Sequence, residues 1–497
     1  MRRKLSLLGV LALAAALVPV TIVTAAPNVA ALDNGVARTP PMGWDDWNAY
    51  QCKNNAADVE QTALFMHRSG LQADGYKYVI VDGCWNDLVG LGSADPGGFP
   101  VTGPLPAEAC GAVNGRLADG QIFVNTTEFP SSSPCANDGL ERVADYVHSL
   151  GLKFGLWIDA TNNWNCQEIP GSYGFDREDA RTLATWGVDY VKADWCGGNP
   201  APPQGDPYGG PQFFSQPGLP SDHQQLAQVM YRALGQALAA TGRHIVYSMC
   251  NGYDPAVQPQ TWASAVANLW RTTRDIRDSY ASMVSIVNQN DQYAADAGRG
   301  GWNDPDMLQV GNGGMTQIED QSEFSLWAEM AAPLIMGTNL ADPSGGAGQQ
   351  AYDLSVFGNR DVIAVDQDRL GVQGRVVSFD GTHLVLAKPL AGGDVAVTLF
   401  NEGDTAAVMS TTATAAGLPG GAPVYLLRNL WSKKVTVTAG PVSVLVQPHQ
   451  TIMYRISAPG SRSPGPLLLP LAVAADLGDG AAGSSFGAFG VHAAPAA

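Results

Sequence analysis

Positive charge is scarce in this chain. It carries 28 Lys and Arg against 46 Asp and Glu, a net charge of -18. With no basic patch, a nucleic-acid partner is excluded. An acidic surface suits a protein that works outside the cell on a neutral substrate, although charge alone sets no reaction. Histidine is equally sparse: the 7 residues are scattered, and no Cys-x-x-Cys or Cys/His cluster suggests zinc. There is no His-Glu-x-x-His, and no Gly-x-Gly-x-x-Gly turn follows the first strand, so a metalloprotease and a dinucleotide enzyme lack support. We therefore expect no metal and no cofactor. Beyond the N-terminal segment no apolar run reaches the ~18 residues that cross a bilayer, and Leu467–Ala475 is too short.

What is present is a folding composition, 45% apolar with 12 Trp, 15 Tyr and 14 Phe. At 497 residues the chain is long enough for two or three domains. Arg2, Arg3 and Lys4, the apolar run from Leu5 to about Val23 and the small residues Thr24, Ala25 and Ala26 read as a signal peptide. Residues 1–31 are taken as that peptide with a short leader, an uncleaved anchor being the alternative, and the mature protein as secreted. Export permits disulfides. Seven cysteines leave at least one unpaired within the chain.

Residues 32–370 alternate short apolar strands with amphipathic segments. Strands are expected to end near Trp44, Asp82, Asp159, Asp194, Cys250, Asp275, Asp306 and Asn339. Between them lie helices such as Ala57–Ser69, with Val59, Ala63 and Met66 on one face, and Arg177–Trp186, with Asp176 as N-cap. Eight such units predict an α/β fold, a (β/α)8 TIM barrel, with an open doubly wound sheet as the alternative. The connection at about 88–140 is long, rich in Gly, Pro and Ser, and a Cys110–Cys135 bridge would help order it. After Gly371 the period changes to two. Thr382–Leu390, Asp394–Asn401 and Val442–Ile456 read as strands of a small C-terminal antiparallel β-sandwich over 371–457. Residues 458–497, rich in Ala, Gly, Pro and Ser, read as a low-complexity tail.

Asp82, Asp194, Asp275 and Asp306 each end an apolar strand, and in a TIM barrel those ends converge on the face that carries active sites. A single strand-end Asp is as readily a cap; four together, with Lys192, Arg271 and several Trp, point to a site. Paired carboxylates suit glycoside hydrolysis, one attacking the anomeric carbon and one protonating the leaving oxygen, about 5–5.5 Å apart in a retaining enzyme. Lys192 lies two residues before Asp194, so both face the same side and the cation favours an ionised nucleophile. Asp275 holds an acid's proton if it lies near Asp194, and Arg271 opposes this.

The motifs "LDNGVARTPPMGWDDWNAYQC", "YVKADWC", "WRTTRDIRDSY", "GGWNDPDML", "AAPLIMGTNL" and "DVIAVDQDRLGVQG" resemble glycoside hydrolase family 27, the α-galactosidase (melibiase) family, over roughly Leu32–Ser457. The resemblance implies Asp194 as nucleophile and Asp275 as acid/base. It implies that Lys192, Arg271 and Asp82 bind sugar hydroxyls, that Trp47 lines the pocket under the sugar and that Asp306 sits beside it. It also implies Cys166–Cys196 and Cys52–Cys84 bridges which, with Cys110–Cys135, leave Cys250 over. Trp302 is read as core packing, and Asp159, Asp278 and Asp304 as structural.

Three departures concern sugar recognition. Asp82-Gly83 stands where the family has two aspartates, Cys250-Asn251-Gly252 where it has Cys-Glu-Trp, and Trp157 where a Tyr is common. We count Trp157 and Asn251 among the substrate contacts. The leading expectation is a retaining exo-glycosidase of the α-galactosidase type, acting on an oligosaccharide or polysaccharide. The alternatives are an isomalto-dextranase-like α-glucan hydrolase or a β-L-arabinopyranosidase of the same family and, from another class, a non-catalytic carbohydrate-binding protein.

Overall fold

A computed structural model describes residues 32–86, 110–113, 115–161, 170–195, 219–251 and 255–460. The leader, most of the tail, and Cys166 and Cys196 lie outside the described residues.

Eight parallel strands form the first sheet: β1 (Met42–Asp45), β2 (Tyr78–Val81), β3 (Lys153–Asp159), β4 (Tyr190–Asp194), β5 (Val246–Cys250), β6 (Leu269–Arg271), β7 (Trp302–Asp304) and β8 (Leu334–Met336). They pair in chain order from β1 to β7, and β8 pairs with β1. A bridge between Leu308, just after β7, and Met336 closes the ring, with Leu308 N donating to Ile335 O at 2.8 Å and Gly337 N to Leu308 O at 3.0 Å. The fold is a TIM barrel.

The interior is filled by Tyr78, Ile80, Tyr190, Val246, Leu269, Met307 and Ile335. Gly43 of β1 faces them because any Cβ there would overlap the Tyr78 carbonyl oxygen and lie 2.8 Å from Tyr78 Cβ. These positions fix the parity of each strand. Side chains alternate along a strand, so Asp45, Asp82, Lys192, Asp194, Ser248, Cys250 and Arg271 continue the inward-facing series.

The helix Ala56–Ser69 buries Val59, Ala63 and Met66 as expected; Asn55 caps it by accepting from Asp58 N, and Gly70 ends it at φ 98°. The next expected helix spans Asp176–Thr185, and Asp176 is not its N-cap. Phe175 holds that position without a side-chain bond, and Asp176 Oδ2 instead accepts from Gly174 N at 3.1 Å. The carboxylate finds its donor in the turn before the helix.

Strand β6 stops at Arg271, four residues short of Asp275, and β7 stops at Asp304, two short of Asp306. Both aspartates stand on the loops beyond. Those loops bond to each other, Ile276 N donating to Asp306 Oδ2 at 2.9 Å, rather than extending the ladder.

The last eight strands are β9 (Arg375–Phe379), β10 (His383–Pro389), β11 (Val395–Asn401), β12 (Ala407–Thr412), β13 (Tyr425–Asn429), β14 (Val435–Thr438), β15 (Pro441–Val446) and β16 (Thr451–Ser457). Six form an antiparallel sheet in the order β14-β13-β16-β11-β10-β9, and β12 pairs with β15. The segment 442–456, expected as a single strand, is two strands in different sheets. His449 at φ 61°, and the bond from Gln447 N to Gln450 Oε1, turn the chain between them. One face of the large sheet packs on β12 and β15 through Val385, Val397, Leu399, Met409 and Val446. The other packs Leu384, Leu386, Phe400 and Met453 against the barrel's own core. The helix Gln317–Glu329 lies in that seam, capped by a reciprocal Thr316–Glu319 box. Among the described residues no helix is long and apolar enough to cross a membrane.

Candidate active site

The inward-facing carboxylates meet at the C-terminal ends of the barrel strands. Lys192 Nζ donates to Asp82 Oδ2 at 2.6 Å and lies 3.7 Å from Asp45 Oδ2. Asp82 is oriented from below. Its backbone N donates to Asp46 Oδ1 at 2.8 Å, and Gly83 N donates to Asp82 Oδ1 at 2.7 Å. Asp46 is itself buried, and Asn54 Nδ2 donates to its other oxygen at 2.8 Å. Burial and the neighbouring Asp82 push the Asp46 carboxyl up to about 8.

Asp194 is the register neighbour of Asp159 on β3 and of Cys250 on β5. Burial raises its carboxyl, Lys192 opposes this, and Asp82 and Asp275 raise it further, to about 7. Its Oδ1 is buried and has no hydrogen-bond partner among the described residues. The Cys250 thiol sits beside it, pushed well up first by burial and then by the Asp194 charge.

Arg271 forms the other wall. It is 3% exposed and shared: Nη2 reaches Asp306 Oδ2 at 2.8 Å and Asp275 Oδ1 at 3.1 Å, while Nη1 lies 3.3 Å from Cys250 Sγ. Asp275 is 67% exposed and open to an incoming molecule. The structure thus brings together Asp82, Lys192, Asp194, Arg271, Asp275 and Asp306.

The aromatic and amide candidates differ more. Trp47 follows β1 in a one-turn helix, half-buried, its N donating to Asp45 Oδ1 at 3.0 Å. Trp157 is the register neighbour of Lys192 but only 1% exposed, and its carbonyl accepts from Trp85 Nε1 at 2.7 Å. Asn251 is 1% exposed, and neither amide atom has a partner among the described residues. The residues read as structural behave so. Trp302 is buried and donates to Ala37 O, Asp304 Oδ1 accepts from Asp306 N, and Asp278 Oδ2 accepts from Gly314 N.

Two disulfides brace the site's surroundings. Cys52–Cys84 ties the segment after β1 to the segment after β2, and Cys110–Cys135 closes part of the long connection. Cys250 is a free thiol.

Sequence reasoning missed Asp45, Asp46 and Cys250 as members of this cluster. The strand pattern alone does not single out Asp45: the packing of Gly43 on Tyr78, which leaves no room for a Cβ, sets Asp45 two places on as inward-facing.

Comparison with known proteins accounts for this arrangement. The family described as Alpha galactosidase A matches residues 105–208 and 214–368, and the Alpha galactosidase C-terminal beta sandwich domain matches 380–456. Alpha-galactosidase 2 of Arabidopsis thaliana is 36% identical over 427 residues, 86% of this chain and 91% of that one. The structure of α-galactosidase I from Mortierella vinacea aligns with a TM-score of 0.71 at 28% identity, covering 87% of this chain and 100% of that one. The structure of an α-galactosidase from Saccharomyces cerevisiae with raffinose aligns with a TM-score of 0.66 at 25% identity, covering 86% and 99%. The chain belongs to glycoside hydrolase family 27, the α-galactosidase family, and is a glycoside hydrolase of the α-galactosidase type.

Proposed function

We propose that this enzyme is a secreted, retaining exo-glycosidase that releases terminal α-linked galactose by double displacement, with Asp194 as nucleophile and Asp275 as acid/base. The observation that carries the reading is the buried, unpartnered Oδ1 of Asp194 beside Lys192, with the exposed Asp275 close enough to perturb it. Asp194 attacks the anomeric carbon as Asp275 gives its proton to the leaving oxygen. Asp275 then takes a proton from water, which displaces Asp194 and returns the starting configuration. Asp82, Lys192 and Arg271 present hydrogen bonds to the sugar hydroxyls, Trp47 and Trp157 line its apolar face, and the unpartnered Asn251 amide gives and accepts one more. Secretion rests on the leader at residues 1–31.

The α-glucan reading is the second, favoured by Gly83 and Asn251. A carboxylate absent from beside Asp82 removes both an attraction and a penalty for the wrong sugar. Replacement from the long connection finds no support at Asp119, whose oxygens serve Gln121, while Asp95 and Glu108 lie outside the described residues. Asp45, whose Oδ2 lies 3.7 Å from Lys192 Nζ, supplies a carboxylate nearer at hand, which favours galactose.

The deciding experiment compares kcat/KM on nitrophenyl α-galactoside with that on isomaltotriose, dextran and an arabinopyranoside, and follows the product's anomeric configuration by NMR. Preference for the galactoside with a retained product supports the proposal. Release of isomaltose from dextran, or of arabinose in preference to galactose, replaces the substrate. An inverted product removes both catalytic roles.

A further inference from the structure

Asp306 was expected to sit beside the sugar as a substrate contact. Its carboxylate is engaged elsewhere. Oδ1 accepts from Met307 N at 2.7 Å, and Oδ2 accepts from Ile276 N at 2.9 Å and pairs with Arg271 Nη2 at 2.8 Å. The same Nη2 holds Asp275 Oδ1 at 3.1 Å. Asp306 is therefore bonded to both flanks of Asp275: the backbone of the next residue, and the guanidinium that touches its side chain.

The backbone at Asp306 is unusual as well. Its φ is 89°, a conformation that non-glycine residues rarely adopt and that persists only where the surroundings over-determine it. Two bonds do so. Asp306 N donates to Asp304 Oδ1, and Trp327 Nε1 donates to Asp306 O, both at 2.8 Å. The carboxylate is 8% exposed, so these contacts are made away from bulk water.

We propose that Asp306 is a positioning residue for the acid/base rather than a sugar ligand, fixing Asp275 through Ile276 N on one side and Arg271 on the other. This rests on the reading of Asp275 as acid/base. Asp275 is 67% exposed, so little packing restrains it. A general acid acts only within hydrogen-bond reach of the oxygen it protonates. The paired charge matters too. Asp306 supplies the counter-charge of the buried Arg271 guanidinium and so holds it where it meets Asp275 Oδ1.

The test uses the full chain and the variants Asp306→Asn, Asp306→Ala, Asp275→Ala and Asp275→Ala/Asp306→Asn. Each is assayed on a galactoside with a sugar leaving group and on an activated nitrophenyl galactoside. General acid catalysis contributes about 10²–10⁴-fold. Asp306→Asn is expected to lose about 10–100-fold of kcat on the first substrate and less than about 5-fold on the second, with KM little changed. It is expected to add almost nothing once Asp275 is Ala. Equal losses on both substrates, a loss confined to KM, or full additivity in the double variant would overturn the proposal. Should Asp275→Ala itself show no leaving-group dependence, the acid assignment fails and this proposal falls with it; leaving-group dependence in Asp275→Ala with none in Asp306→Asn overturns this proposal alone. Hydrogen exchange supplies the readout that needs no turnover. In Asp306→Ala the amide of Ile276 should exchange faster while the barrel strands stay protected; unchanged exchange there would also overturn the proposal.

Discussion

Lys192 and Asp82 meet at 2.6 Å across the barrel, from β4 to the end of β2, with the Lys192 side chain only 14% exposed. A second carboxylate, Asp45, lies 3.7 Å from the same ammonium. Removing one partner of such a pair leaves uncompensated charge in a poorly solvated place, which typically costs about 3–5 kcal/mol. Lys192→Met should lower stability on that scale in urea titrations. It should also move the acid limb of kcat/KM to higher pH, because the cation that opposes the raised Asp194 carboxyl is gone. An acid limb that stays in place would show that Lys192 does not act on the nucleophile.

Asp194 makes the fold pH-sensitive in a direction that can be worked out. Its carboxyl stands at about 7 in the folded chain and at the ordinary ~3.9 when unfolded. A raised value means that the folded state holds the proton more tightly. The contribution is therefore present below the unfolded value and lost as pH rises through about 7. Asp194→Asn, which cannot ionise, should be inactive on natural substrates. Its Tm advantage over the parent should be small at pH 4.5 and larger at pH 8. A constant difference across that range would contradict the raised value.

Gly43 sits against Tyr78 with no room for a side chain. Its missing Cβ is the space that Tyr78 fills. Gly43→Ala should force β1 and β2 apart and cost about 1–3 kcal/mol, the usual range for overpacking. Because Asp45 ends the same strand and Trp47 opens the turn of helix just after it, activity should fall with stability. Thermal melts and nitrophenyl galactoside assays at 25 °C check this together.

The two disulfides should separate stability from activity. Each closes a loop, with sequence separations of 32 and 25, and bridges of this kind typically contribute about 2–4 kcal/mol. Replacing Cys52 and Cys84 by Ser should cost both Tm and kcat/KM, because that bridge holds the segments carrying Trp47 and Asp82. Replacing Cys110 and Cys135 should cost Tm with kcat/KM nearly unchanged. The reverse pattern would place the second bridge, not the first, against the bound sugar.

The barrel was legible because its strands end in carboxylates and its helices carry an amphipathic face, as at Val59, Ala63 and Met66. The Asp82, Lys192 and Asp194 cluster follows from strand parity alone. What parity does not carry is the path of the chain beyond a strand. Asp275 and Asp306 looked like strand ends, yet their positions are set by a loop-to-loop bond between Ile276 N and Asp306 Oδ2. Asp45 and Asp46 stand side by side in the first quoted motif, and nothing in the sequence says which of two adjacent carboxylates turns inward. Only the packing of Gly43 on Tyr78 shows which of the two turns inward. The break between β15 and β16 falls on Gln447-Pro448-His449-Gln450, a polar stretch with a proline between two apolar runs, where the chain turns through the backbone conformation at His449.

The helix Gln317–Glu329 turns almost nothing to solvent beyond its first two residues. From Glu319 onward every residue but Gln321 is buried, with barrel on one flank and sandwich on the other. Across it Ser322 Oγ donates to His449 O, Trp431 Nε1 donates to Ser325 Oγ, and the buried Lys388 ammonium donates to the Ala328 carbonyl. A helix clad in this way belongs to neither domain. Cut at the junction before β9, the barrel would present a long apolar flank to water with carbonyls stripped of their donors. The two halves should therefore melt in a single transition, and a barrel cut free of its sandwich should lose its stability with the helix's covering.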